Sequence, residues 1–259
     1  MLSSAAVPLA HRLFAVAALA AVAGACCPAS AGAAGQPETQ AVTFRTADRV
    51  TVHAWYHKVA PSRATILLFH QAGSSHQEYD AIAPRLNALG YSTLAVDQRA
   101  GGPMFGPNLT RRGLGYEGTY ESALPDLLAA IAWAHRNAST RIVLWGSSYS
   151  ASLAFAAAAQ TRGIAALLAF SPGEYFDDDQ YVRRAAAHLT IPLFVDSAAN
   201  QGEIRAAATI AAASPSHRKT VYVPQHGVHG SSTLLDSRNP AGARENWAAV
   251  ERFLRESVR

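Results

Sequence analysis

The sequence predicts one α/β domain: a mostly parallel sheet opened by an antiparallel hairpin, with helices on both faces. Three observations point there. Short, mostly apolar runs recur at residues 64–69 (ATILLF), 91–96 (YSTLAV), 142–145 (IVLW), 164–170 (IAALLAF) and 191–195 (IPLFV). Each is too brief for a helix and gives way to Gly or a polar residue, the pattern of a strand buried on both faces. Segments of helical character alternate with these runs, as in a sheet whose parallel strands are joined by crossovers. Finally, His70, Asp97, Ser148, Ser171, Asp196 and the loop carrying His226 and His229 all fall at the ends of predicted strands. In open sheets of this kind the ligand lies beyond the carboxyl ends of the strands.

Residues 1–35 read as a targeting segment, leaving residues 36–259 as the domain. His11 and Arg12 supply a mild positive region, residues 13–25 are uncharged and apolar, and Ala29-Ser30-Ala31 is an A-x-A cleavage pattern. The run is shorter than the ~20 residues a membrane-spanning helix needs. The mature protein is therefore expected to be exported, periplasmic or secreted. Cys26 and Cys27, the two cysteines of the chain, both lie in this segment. A mature chain without them has neither a disulfide nor a thiol nucleophile. Val22-Ala23-Gly24-Ala25-Cys26 resembles a bacterial lipoprotein signal, and acylation at Cys26 is the one route to a membrane that the sequence offers.

The domain opens with a polar linker at 36–40. Residues 41–46 and 50–59 alternate apolar and polar side chains around Thr46-Ala47-Asp48-Arg49, which predicts a hairpin. His53 and His57 read as residues of its second strand, not as ligands. After the 64–69 strand come His70-Gln71-Ala72-Gly73-Ser74-Ser75 and a helix over 76–89. The 91–96 strand runs into Asp97-Gln98-Arg99-Ala100-Gly101-Gly102 and a polar, Gly-rich loop through Gly118. Leu124, Leu127, Leu128, Ile131 and Trp133 share one face of a helix over 120–137. The 142–145 strand is followed by an Ala-rich helix over 151–160. Residues 171–190 are polar and then helical, with an acidic cluster at 177–179, and are too few for a large lid. Pro192 stands at the start of its strand, where a missing N–H is tolerated. A helix over 203–213, a last strand centred on 221–223, and a terminal helix opening at Asn239-Pro240 complete the chain. Trp247, Val250, Phe253 and Leu254 form the apolar face of that helix.

The formal net charge of +4 comes without any Lys/Arg run, so nucleic acid is not an expected partner. With 49% hydrophobic and 15% charged residues, the chain is expected to fold and not to remain disordered.

The chemistry centres on Gly146-Ser147-Ser148-Tyr149-Ser150, between a strand and a helix. Small residues suit a tight turn past which neighbouring backbone must run. The turn lifts the Ser148 hydroxyl above the sheet, at the positive end of the helix. A serine hydroxyl is a poor nucleophile until a base takes its proton, and a histidine held by a carboxylate is the fitting base. His229 is preferred to His226 because it lies deeper in its loop and precedes Gly230, which lets backbone approach the ring. The two histidines have no local Cys, Asp or Glu to complete a metal set, so no metal is expected. For the carboxylate, Glu203 at the start of a helix is preferred, since its longer side chain can reach inward. Asp196 at the strand end is second and the 177–179 cluster third. An oxyanion needs two N–H donors; Tyr149 and Ala72, with Gln71 adjacent to the latter, are the choices.

These motifs resemble the α/β-hydrolase superfamily, in particular its lidless serine-esterase and dienelactone-hydrolase-like group. His70-Gln71-Ala72-Gly73 stands where such proteins carry H-G-x-G, and Asp97-Gln98-Arg99-Ala100-Gly101 where they carry D-x-R-G-x-G. The segment from Gly146 to Ser150 stands for the G-x-S-x-G nucleophile elbow, and Val228-His229-Gly230 for the histidine loop. The resemblance covers nearly all of the mature chain. It departs at Ser150, where the elbow has Gly, and at Asn200 and Gln201, where an Asp is usual. It implies the chain order Ser148, acid, His229, an acyl-enzyme, a small-molecule ester substrate and no cofactor. Dienelactone hydrolases proper use a cysteine, which the mature chain lacks, so that substrate is not implied. The alternatives are an acyltransferase on the same site, or a non-catalytic hydrolase-like protein that binds a ligand or partner in the cleft.

Overall fold

A computed structural model describes residues 38–138 and 141–258. The expected targeting segment, with Cys26, lies outside the described residues. The predicted hairpin is present as β1 (Glu38–Arg45) and β2 (Thr51–Lys58), paired antiparallel with Phe44 opposite Val52. Val52, Ala54 and Tyr56 of β2 point into the core while their neighbours do not, which is the alternation read from the sequence. Thr46 closes the turn by accepting the Val50 N–H on its hydroxyl at 2.8 Å.

The remaining strands are β3 (Thr65–Phe69), β4 (Ser92–Asp97), β5 (Ile142–Ser147), β6 (Ile164–Phe170), β7 (Leu193–Asp196) and β8 (Lys219–Tyr222). Among the described residues they form one eight-stranded sheet in the order β1-β2-β4-β3-β5-β6-β7-β8. β2 meets β4 antiparallel, and every pairing from β4 through β8 is parallel. β3, β4 and β5 are buried along their whole length, which is why they read as near-continuous apolar runs.

Alternate side chains of these strands feed two cores on opposite faces. Leu67, Leu94, Leu144, Leu167 and Leu193 face α3 (Leu124–Asn137), α4 (Tyr149–Gln160), α5 (Tyr181–Ala186) and α6 (Gln201–Ala213). Ile66, Leu68, Val143, Trp145, Leu168 and Phe194 face α1 (Ile82–Ala88) and α7 (Ala243–Ser257). α7 buries the predicted Trp247, Val250, Phe253 and Leu254.

Four local expectations need correction. The helix expected over 76–89 is a 3-10 turn, His76–Tyr79, followed by the short α1. Its Tyr79 hydroxyl donates to Phe69 O at 2.6 Å, and Asp97 accepts His76 N at 2.7 Å, so the turn is pinned to the strand ends. The loop after β4 contains α2 (Leu109–Leu114), capped by Asn108, which accepts Arg111 N at 2.8 Å, and ended by Gly115 at φ 79°. The terminal helix starts at Ala243, because Asn239 is committed to loop carbonyls and to the Gly242 N–H. The last strand, expected to centre on 221–223, runs over Lys219–Tyr222 at the sheet edge, so Val223 lies past its end, and Val221 and Val223 are 43% and 50% exposed. Between β6 and β7 the chain holds one short helix, α5, whose Val182 and Ala186 are buried in the core; no large lid is built there.

Candidate active site

Ser148 sits between β5 and α4 with φ 60° and ψ −125°. A non-glycine residue in that region is strained by about 1–3 kcal/mol and persists only when its surroundings over-determine it. Here Ser148 N–H donates to Phe170 O at 2.8 Å on the neighbouring strand, and Ser148 O accepts Ala151 N at 2.9 Å inside α4. Gly146 is required by the same bend: a Cβ there would lie 2.5 Å from the Ala151 backbone. Tyr120 stacks on Tyr149 at 4.6 Å, covering the start of the helix.

Ser150, the departure from the elbow pattern, is fully buried and has its own use. Its hydroxyl donates to His70 O and accepts from Gln98 Nε2, both at short range. His70 is buried, donating through Nδ1 to Gln71 O at 2.8 Å and accepting Gln98 N at Nε2 at 3.0 Å. Burial pushes its imidazole down to about 4, so it is a neutral strut. A glycine at 150 would leave His70 O and the Gln98 amide without these bonds. Asp97 and Arg99 are structural as well. Asp97 accepts His76 N, His76 Nδ1 and Leu109 N, and Arg99 is clamped between Asp126 and Asp48.

His229 follows β8 and lies over the elbow. Its Nε2 is 2.7 Å from Ser148 Oγ, and its Nδ1 is 3.0 Å from Glu203 Oε1. A carboxylate only accepts, so Nδ1 carries the hydrogen and Nε2 is left to accept the serine proton. The next two residues fix the ring's position. Gly230 N donates to Ser171 Oγ and Ser231 N to Ser147 Oγ, each at 2.9 Å. Gly230 has φ 66°, and a Cβ there would meet Ser147 Oγ at 2.5 Å, which is the close approach that calls for glycine. His226 is exposed and meets the rest of the fold through its carbonyl, which accepts from Asn239 and Asn246.

Glu203 is the third residue of α6, and Asn200 caps that helix by accepting Glu203 N at 3.0 Å. The capping turn folds the Glu203 carboxylate back toward the sheet. It accepts Ala198 N at 3.1 Å and Asn200 Nδ2 at 3.1 Å besides His229. Burial works to raise its pKa, but the hydrogen bonds from His229, Ser171 and Ala198 outweigh it and hold the carboxyl at about 2. Asp196 is 2% exposed and accepts Ser197 N at 2.7 Å, whereas the His229 ring bonds to Glu203 and Ser148. Burial, together with the Glu203 charge, raises its pKa well above the usual carboxylate range. The 177–179 cluster is exposed, with Asp178 paired to Arg184.

The two N–H groups chosen for an oxyanion are placed as follows. Tyr149 is the first residue of α4, where helical N–H groups have no partner within the helix. In the loop after β3, Gln71 N–H is taken by Glu78 Oε2 at 2.8 Å, which leaves the Ala72 N–H as the next donor. Sequence reasoning missed Glu78, which sat unremarked in the helix expected over 76–89. Among the described residues no group of three or more His, Cys, Asp or Glu could hold a metal ion.

A family model described as serine aminopeptidase, S33, matches residues 60–220. No curated protein matches the chain. Among solved structures, an esterase of Pyrococcus furiosus is 21% identical, with a TM-score of 0.65, covering 86% of this chain and 92% of that one. A dienelactone hydrolase of Anabaena variabilis is 16% identical, with a TM-score of 0.69, covering 86% and 100%. A cold-adapted esterase from an Arctic intertidal metagenomic library is 18% identical, with a TM-score of 0.66, covering 87% and 98%. The match over most of the sheet, with the fold these structures share, places the chain in the serine aminopeptidase S33 family of α/β-hydrolases, in an esterase-like group.

Proposed function

We propose that the protein is an exported serine hydrolase that cleaves small carboxylic esters through an acyl-enzyme on Ser148. One observation carries this reading: the unbroken contact from Glu203 through His229 to Ser148, at 3.0 and 2.7 Å. In the reaction, Ser148 Oγ attacks the ester carbonyl while its proton passes to His229 Nε2. The ionised Glu203 stabilises the imidazolium so formed. The carbonyl oxygen, now an oxyanion, is received by the N–H groups of Tyr149 and Ala72; one such donor is typically worth ~3 kcal/mol in the transition state. His229 then protonates the leaving alcohol, and a water molecule activated by the same imidazole releases the acid.

Several of the structural neighbours are esterases, which supports an ester as substrate. The short segment between β6 and β7 favours small or soluble esters over long-chain lipids, and the leader pattern at 1–35 is the ground for export. The test is labelling of the purified mature protein with a fluorophosphonate and mapping of the modified peptide. The expected result is a single adduct on Ser148 that disappears in Ser148→Ala. An unlabelled wild type would point instead to a non-catalytic binding protein. Rates on short- and long-chain nitrophenyl esters and on aminoacyl nitroanilides define the substrate class, with the short esters expected to be fastest.

A further inference from the structure

Glu78 is 1% exposed and lies on the 3-10 turn beneath the loop that carries Ala72. Its Oε2 accepts Gln71 N–H at 2.8 Å, while its Oε1 is buried with no hydrogen-bond partner among the described residues. Burial pushes the carboxyl up to about 7, against the lowering influence of Ser147, the Gln71 N–H, Ser74 and, more weakly, His229. A carboxyl group with one unused oxygen is a costly means of satisfying one backbone N–H. The turn that bears it is held at two further points, by Tyr79 on Phe69 O and by Asp97 on His76 N. The side chain therefore reaches the loop from a rigid base.

We propose that Glu78 is a positioning residue for oxyanion stabilisation: by holding the Gln71 N–H, it fixes the orientation of the adjoining peptide whose N–H, that of Ala72, receives the oxyanion. This rests on the serine-hydrolase reading above. The role requires an acceptor oxygen at the end of an arm two methylenes long, and it does not require a negative charge. Glutamine supplies both the oxygen and the length. Aspartate keeps the acid but falls short of Gln71.

The experiment compares wild type, Glu78→Gln and Glu78→Asp, each normalised to active sites titrated with a fluorophosphonate so that only competent enzyme is counted. For each, kcat and KM on a short nitrophenyl ester are measured with the inhibition constant of a trifluoromethyl ketone, whose adduct with serine bears an oxyanion. Glu78→Asp is expected to lose roughly 10- to 100-fold in kcat and a similar factor in inhibitor affinity, with KM nearly unchanged. Glu78→Gln is expected to stay within about threefold of wild type in both. A merely structural role would lower the melting temperature but leave kcat per titrated site and the inhibition constant in place. Glu78→Asp equal to wild type, or Glu78→Gln as impaired as Glu78→Asp, overturns the proposal. If wild type is labelled at Ser148 and the Asp variant matches it, the Glu78 role alone falls; if wild type is unlabelled, both readings fall.

Discussion

Two glutamates flank Ser148 from opposite sides, and the protein treats them oppositely. Glu203, in the first turn of α6, meets an imidazole, a backbone N–H and a side-chain amide, and its carboxyl is held at about 2. Glu78, beneath the loop after β3, is buried, accepts the Gln71 N–H with only the Ser147 and Ser74 hydroxyls beside it, and its carboxyl rises to about 7. The same side chain thus serves as a fixed anion at one edge of the site and as a buried hydrogen-bond acceptor at the other. Partners, not residue type, assign the role.

The largest effects should come from breaking the line that gives Glu203 its partner. Ser148→Ala or His229→Ala is expected to reduce kcat by roughly 10⁴- to 10⁶-fold, with His226→Ala keeping most of the activity. Steady-state kinetics on a short ester decide this, and the reverse pattern at the two histidines would move the base to His226. Next, Glu203→Gln leaves the imidazole without its anion and should cost on the order of 10³- to 10⁴-fold. Asp196→Asn, at a carboxyl that burial already keeps toward its neutral form, should cost little. A larger loss at Asp196 would reassign the acid.

The comparison also predicts opposite pH dependence of stability. Glu203 has a depressed pKa, so its contribution is present above the ordinary 4.5 and is lost as pH falls toward 2. Glu78 has a raised pKa, so between 4.5 and about 7 the folded state binds the extra proton, and stability declines as pH rises through that window. At about 1.4 kcal/mol per pH unit the decline is on the order of 3 kcal/mol. Denaturant titrations across pH should show that Glu78→Gln flattens the window from 4.5 to 7 and Glu203→Gln flattens the acid limb below it. The smallest effect concerns the tie between the elbow and the loop that Glu78 supports. Ser150→Gly restores the usual elbow residue but removes the bonds to His70 O and Gln98, and should cost about 1–3 kcal/mol in stability. An unchanged denaturation midpoint would show that the tie is dispensable.

The sheet and the tight turn at Ser148 were legible because each rests on a local signal: a short apolar run for a buried strand, small residues around Ser148 for the bend. His229 was legible by its place after the last strand and by the glycine behind it. Glu203 could be ranked above Asp196 on reach alone, yet what settles its direction, the Asn200 cap and the Ala198 N–H, is a matter of how the loop folds. Glu78 was not legible, since its partner lies seven residues back across a turn and its burial depends on packing from both strand ends. The edge position of β8 was missed for a similar reason: a pair of valines marks a strand but not how many neighbours the strand will have.

The proposed mechanism is that the imidazole of His229, held by Glu203, makes the Ser148 hydroxyl a nucleophile. It is tested most directly by mixing the protein with a short-chain nitrophenyl ester, quenching in acid within the first turnover, and locating the acyl group by mass spectrometry. A burst of nitrophenol matched by one acyl group on Ser148 is expected, with the burst rate collapsing in His229→Ala. Turnover with no acyl group on Ser148, or an undiminished burst in His229→Ala, would contradict it.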